Sequence, residues 1–141
     1  MKSYKGGCHC GNLWYTFDTS VALDRLELRA CMCSFCRAHG ARNVSDPQGR
    51  IRIDVRNREK LVRYRFGLKT ADFLLCANCG VYVGALLPAG SQGWFTVNAN
   101  TFREPPPLDA AVHPFEYDGE DVGNRVDRRR TDWTPVASLS I

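Results

Sequence analysis

Seven cysteines fall in three tight groups: Cys8-His9-Cys10, Cys31-Met32-Cys33-Ser34-Phe35-Cys36 and Cys76-Ala77-Asn78-Cys79. Thiolates are soft metal ligands, and the count divides as four plus three. Four thiolates close a structural zinc site. Three leave one position open, as in sites where zinc does chemistry. Disulfides are the plainer use of clustered cysteines. Against them stand the odd count and the single residue between Cys8 and Cys10, which strains a bridge. The start, Met1-Lys2-Ser3-Tyr4-Lys5, also lacks the apolar stretch of a signal peptide. Iron–sulfur ligation of the middle run is the other metal chemistry that thiolates suit. A thioredoxin-like use of Cys76 and Cys79 would need a βαβ surrounding that the sequence does not provide.

The groups differ in the residue after their last cysteine. Cys10 precedes Gly11 and Cys79 precedes Gly80, whereas Cys36 precedes Arg37. A glycine there lets the backbone turn so that amide N–H groups point at a thiolate, the build of a zinc knuckle. Both glycine-flanked pairs stand beside β-patterned runs, so Cys8, Cys10, Cys76 and Cys79 are expected to form one closed site. Such a site closes a long loop, where a metal staple helps most. Cys31, Cys33 and Cys36 remain as a compact second cluster. Arg37 and His39 lie just past it and are the candidate groups for facing a bound anionic ligand, with Arg42 a third. A solvated arginine and a backbone-bonded helix histidine are the plainer readings of Arg37 and His39. The competing partition joins Cys33 and Cys36 with Cys76 and Cys79. It strands Cys8, Cys10 and Cys31 without a common site.

The elements that position these groups are strands. Apolar residues alternate at Leu13, Tyr15 and Phe17; at Leu26, Leu28 and Ala30; at Ile51, Ile53 and Val55; at Val62, Tyr64 and Phe66; and at Ala71, Phe73 and Leu75. Val81 to Leu87 reads as a buried strand and Trp94 to Ala99 as another. Gly and Pro punctuate these runs. One short helix is predicted over Ser34 to Arg42. Pro105-Pro106-Pro107 ends a strand, Tyr117 to Asp121 reads as a turn, and 125–132 is dense in charge. The expectation is an all-β single domain, 1–141, with its core over 4–103 and a polar C-terminal arm, 104–141, laid over it.

The 141 residues suffice for one domain, and 44% hydrophobic residues can bury a core, so metal supplements packing. No apolar stretch approaches a membrane span. The cysteine usage fits a reducing, cytoplasmic compartment. A net charge of +4, from 19 basic and 15 acidic residues, suits anionic small molecules better than nucleic acid.

Three linked motifs, Gly7-Cys8-His9-Cys10-Gly11, Cys31-Met32-Cys33-Ser34-Phe35-Cys36-Arg37 and Phe73-Leu74-Leu75-Cys76-Ala77-Asn78-Cys79-Gly80, resemble the glutathione-dependent formaldehyde-activating enzyme family, which includes centromere protein V. The resemblance spans roughly residues 4–100. It implies a β-tent of antiparallel sheets with zinc knuckles. It implies two zinc ions per chain, a structural one on Cys8, Cys10, Cys76 and Cys79 and a labile, catalytic one on Cys31, Cys33 and Cys36. The family's activity joins formaldehyde to the thiol of glutathione and is classed, in reverse, among carbon–sulfur lyases. Met32 stands where family members often carry histidine, and Ala38 where lysine is common.

Two functions compete at this level. One is a zinc-dependent carbon–sulfur lyase acting on a small thiol adduct such as S-hydroxymethylglutathione. The other is a non-catalytic, zinc-stabilised binding module, for which the run Arg128-Arg129-Arg130 is the best support. A basic run is more often a solvated face. Nucleic-acid association rests on that run and a weak family analogy, and the run lacks interleaved aromatics.

Overall fold

A computed structural model describes residues 1–141. Eleven strands and two helices follow one another as β1 (Lys2–Gly7), β2 (Leu13–Thr19), β3 (Arg29–Cys31), α1 (Ser34–His39), β4 (Asn43–Val44), β5 (Arg50–Val55), β6 (Leu61–Tyr64), β7 (Asp72–Cys76), β8 (Tyr82–Ala89), β9 (Gln92–Asn98), β10 (His113–Phe115), α2 (Val122–Asp132) and β11 (Thr134–Ser140). The chain is mostly β and forms one domain around a single connected sheet. Its main path is β1-β2-β5-β11-β9-β4-β3-β10, and β8, β7 and β6 branch from β9.

The period-two pattern sets the faces. In β2, Leu13, Tyr15 and Phe17 are buried while Trp14 points outward; in β5, Ile51 and Ile53 are buried while Arg50 and Arg52 are exposed. The two strands pair antiparallel with Tyr15 opposite Ile53, so both apolar rows meet the same core. The continuous run in β8 is buried from Tyr82 to Leu87, as expected of a central strand covered on both faces. Gly84 in that strand is required by packing: a Cβ there would collide with the Phe95 ring and the Thr96 carbonyl.

Two expectations are corrected here. The sheet is not wholly antiparallel, because β11 runs parallel to β5 and β10 parallel to β3. Nor are residues 104–141 only a covering arm. Thr134 and Pro135 pair with β9, and the same strand pairs with β5 from Val136 to Ser140, with a bulge between Val136 and Ser138. β11 therefore joins the two halves of the sheet, with Thr134 and Val136 buried. The predicted helix is shorter than expected. It ends at His39 because Gly40 takes the left-handed conformation, φ +56°, that caps it.

The buried side chains form two clusters. The larger holds Leu13, Phe17, Ile51, Leu86, Phe95 and Val97 together with Cys8 and Cys76. The smaller holds Phe73, Tyr82, Leu87 and Trp133 together with Cys36. Each cysteine group is thus rooted in its own core.

Candidate metal centres and the adjoining cavity

Cys8, Cys10, Cys76 and Cys79 meet where the β1–β2 turn approaches the β7–β8 turn. All four sulfurs lie within 4.8 Å of one another. Cys10 Sγ is 3.7 Å from Cys8 Sγ and 3.5 Å from Cys76 Sγ. A tetrahedral ion with metal–sulfur bonds of about 2.3 Å would hold its sulfurs about 3.8 Å apart, so the spacing suits zinc. All seven cysteines are free thiols.

The two halves of this site share one local design. Cys8 N–H donates to the Leu13 carbonyl at 2.8 Å, and Cys76 N–H donates to the Val81 carbonyl at 3.1 Å. Gly11 and Gly80 close the turns with φ of +83° and +80°, a conformation that strains any other residue. Amides then point at sulfur: Leu13 N–H at Cys8 Sγ, 3.3 Å, and Cys79 N–H at Cys76 Sγ, 3.5 Å. Burial pushes the Cys8 thiol up to about 12, while a hydrogen bond from the Asn78 side chain brings Cys10 down to about 6. Opposite shifts on Cys8 and Cys10 within one crowded cluster mark a site that a cation would unify.

Cys31, Cys33 and Cys36 form the second cluster, also with their sulfurs within 4.8 Å. Cys31 ends β3, whose pairing with β10 continues through Met32 N–H to the Phe115 carbonyl at 2.9 Å. Cys33 caps α1 and accepts from Cys36 N–H at 3.4 Å. Cys36 is buried in that helix. Hydrogen bonds from the Cys31 and Cys36 thiols bring Cys33 down to about 2, while hydrogen bonds with Cys31 and then Cys33 push Cys36 up. The alternative grouping of Cys33 and Cys36 with Cys76 and Cys79 is not formed.

Only the three-cysteine cluster opens onto a cavity lined by basic groups. It measures about 410 Å³, with Cys31, Met32 and Cys33 on one side and Phe66, Thr70 and Phe73 on another. Arg37 lines it. His39 does not: its ring lies against Phe35 and Tyr82, with centroids 4.6 and 5.4 Å apart. Arg42 is spent on structure, donating to Asn100 Oδ1 at 2.6 Å and to the carbonyls of Pro107 and Pro106 at 2.6 and 3.0 Å. A larger cavity of about 1180 Å³ lies between β1 and the segments 22–28 and 102–113, and no cysteine lines it.

The remaining cations of the cavity read in sequence as part of a charge-dense segment, with Arg128 and Arg129 in a basic run, and not as groups beside the cysteines. Arg125, Arg128 and Arg129 reach it from α2. Arg128 donates to both Glu120 oxygens, from Nε at 2.7 Å and Nη2 at 3.0 Å, and its guanidinium lies 3.5 Å from the Tyr117 ring centroid. Arg125 Nε donates to the same carboxylate at 3.1 Å. Arg129 is buried over the Trp133 ring, 4.8 Å away, and burial brings its guanidinium down to about 10, still charged near neutral pH. The available signal was the spacing of Arg125, Arg128 and Arg129, with Trp133 one turn beyond, which places them along one helical side. The charge run concealed it.

A family model described as glutathione-dependent formaldehyde-activating enzyme matches residues 3–118. The chain belongs to that family. Among solved structures, a crystal structure of a Rhodobacter sphaeroides protein is similar, at 30% sequence identity and a TM-score of 0.60; the match covers 80% of this chain and 99% of that one. The family match contains all seven cysteines and stops short of α2 and β11.

Proposed function

We propose that this chain is a zinc-dependent carbon–sulfur lyase that forms and cleaves S-hydroxymethylglutathione. The observation that carries the proposal is the contrast between two cysteine clusters, one of four sulfurs and one of three opening onto a basic cavity. In this reading two zinc ions bind per chain. Cys8, Cys10, Cys76 and Cys79 hold the structural one, and Cys31, Cys33 and Cys36 hold the catalytic one.

Zinc bound by three thiolates would supply a position at which a substrate thiol is held as thiolate near neutral pH. The residues around it set up the rest. Arg37, Arg128 and Arg129 offset the negative charge of the sulfurs and of an anionic thiol. Phe66, Phe73 and Met32 give the cavity an apolar lining that limits water around the reacting carbon. The reaction itself is an addition. The thiol loses its proton, the sulfur lone pair forms a C–S bond to the aldehyde carbon, and the carbonyl oxygen gains a proton. Cleavage runs the same steps backwards, and no redox change occurs. Much of the gain would come from proximity. We place the protein in the cytoplasm, where glutathione is abundant and thiols stay reduced.

The test is cobalt in place of zinc. Glutathione added to the cobalt protein is expected to increase the sulfur-to-metal charge-transfer band, and Cys33→Ser is expected to remove that response. A spectrum indifferent to glutathione would favour two purely structural metals and a binding module.

A further inference from the structure

Arg129 is a buried cation without a carboxylate. Its guanidinium makes one hydrogen bond, from Nη1 to Thr70 Oγ1 at 2.6 Å, and its Nε is buried with no partner. Arginine carries five donors in a planar fork, so most of this one's capacity is unused. The neighbouring arginines differ. Arg125 and Arg128 both close on Glu120. Glu120 and then Cys31 lend Arg129 partial counter-charge, yet it donates no hydrogen bond to either. A buried charge left so incompletely paired is costly and calls for a ligand.

Its position says which ligand. Arg129 lines the 410 Å³ cavity beside Cys31 and Cys33, and also a small pocket of about 50 Å³ behind Cys31 and Cys36. Asn43, whose Oδ1 is the other unpartnered buried side-chain atom, is among that pocket's lining residues. The cavity's acidic residues, Glu116 and Asp118, are exposed and leave the deep end basic. An anion entering past them meets Arg129 with Nε and Nη2 still unpartnered, and a carboxylate matches that edge of the guanidinium in shape.

We propose that Arg129 binds a carboxylate of the substrate, so that α2 selects thiols carrying an acidic group within reach of the sulfur. The inference rests on the thiol-site reading above but adds a residue beyond the family match, which ends at residue 118.

S-methylglutathione separates the two, because its blocked sulfur cannot act as a thiolate. Its binding to the zinc-loaded protein can be followed by calorimetry or ligand-observed NMR, beside its dimethyl ester, in which both carboxylates are masked. The acid is expected to bind at least tenfold tighter than the ester. Arg129→Gln is expected to abolish that preference, and Arg130→Gln, exposed over Trp94, to keep it. Equal affinity of acid and ester for the wild-type protein would overturn the proposal, as would no binding of the acid at millimolar concentration. A preference surviving in Arg129→Gln would overturn it too. The wild-type comparison decides even if that variant fails to fold. Loss of the cobalt response to glutathione would count against the thiol reading alone.

Discussion

At the residue scale, the seven cysteines are not equivalent. Cys8 and Cys76 are buried in the main core and bring together segments 66 residues apart in the case of Cys10 and Cys76. A metal there supplies folding free energy, on the order of 10 kcal/mol for a structural zinc. Cys79→Ser is therefore expected to unfold or aggregate the protein. Cys33→Ser changes the residue that caps a six-residue helix beside a cavity, and is expected to leave a folded chain that binds one zinc fewer. Circular dichroism, melting curves and metal content of the two variants check this. Equal destabilisation would mean that both clusters are structural. The cysteine partition was legible because glycine after Cys10 and Cys79, but not after Cys36, marks where a knuckle turn is needed. His39 was not legible in the same way. It lies just past the cluster in sequence, but the turn of α1 carries its ring onto Phe35 and away from the cavity.

At the element scale, strands with clean alternation were readable and those without it were not. β2, β5 and β7 announce themselves through rows such as Leu13, Tyr15 and Phe17. β11 begins Thr134-Pro135, carries two serines and contains a bulge that breaks the period, so its register against β5 is invisible to a two-residue rule. α2 has almost no apolar stripe. Its inner side is made instead of arginines that contact Glu120, Thr70 and the Trp133 ring, and hydrophobic periodicity does not detect such a face. Glu120 gives this helix a pH dependence. The hydrogen bond from Arg128, and then that from Arg125, holds its carboxyl below the ordinary 4.5. A carboxyl with a depressed folded value adds stability that is present above its unfolded value and is lost as pH falls through the folded one. The anchoring of α2 should hold at neutral pH and weaken once pH drops below about 4.5. Amide exchange within α2 should accelerate over that acid range, and Glu120→Gln should flatten the dependence. An unchanged profile in that variant would show that the clamp does not anchor the helix.

At the scale of the whole molecule, the C-terminal segment completes both the fold and the site. β11 joins β5 to β9, and α2 walls the cavity beside the three-cysteine cluster. Deleting residues 134–141 exposes the edges of two central strands and is expected to abolish cooperative melting; a truncated chain that still melts sharply would restore the covering-arm picture. The all-β class and the single domain were legible from strand patterning and length, whereas this closure was not, because it depends on pairing between segments about eighty residues apart in sequence. The central claim is that the three-cysteine cluster performs reversible C–S bond formation. Exchange NMR with ¹³C-formaldehyde and glutathione measures that rate directly on the zinc-loaded protein. Faster exchange between free formaldehyde and S-hydroxymethylglutathione is expected for the wild-type chain and not for a folded Cys33→Ser variant. Exchange at the uncatalysed rate with the wild-type chain at full zinc content would contradict it.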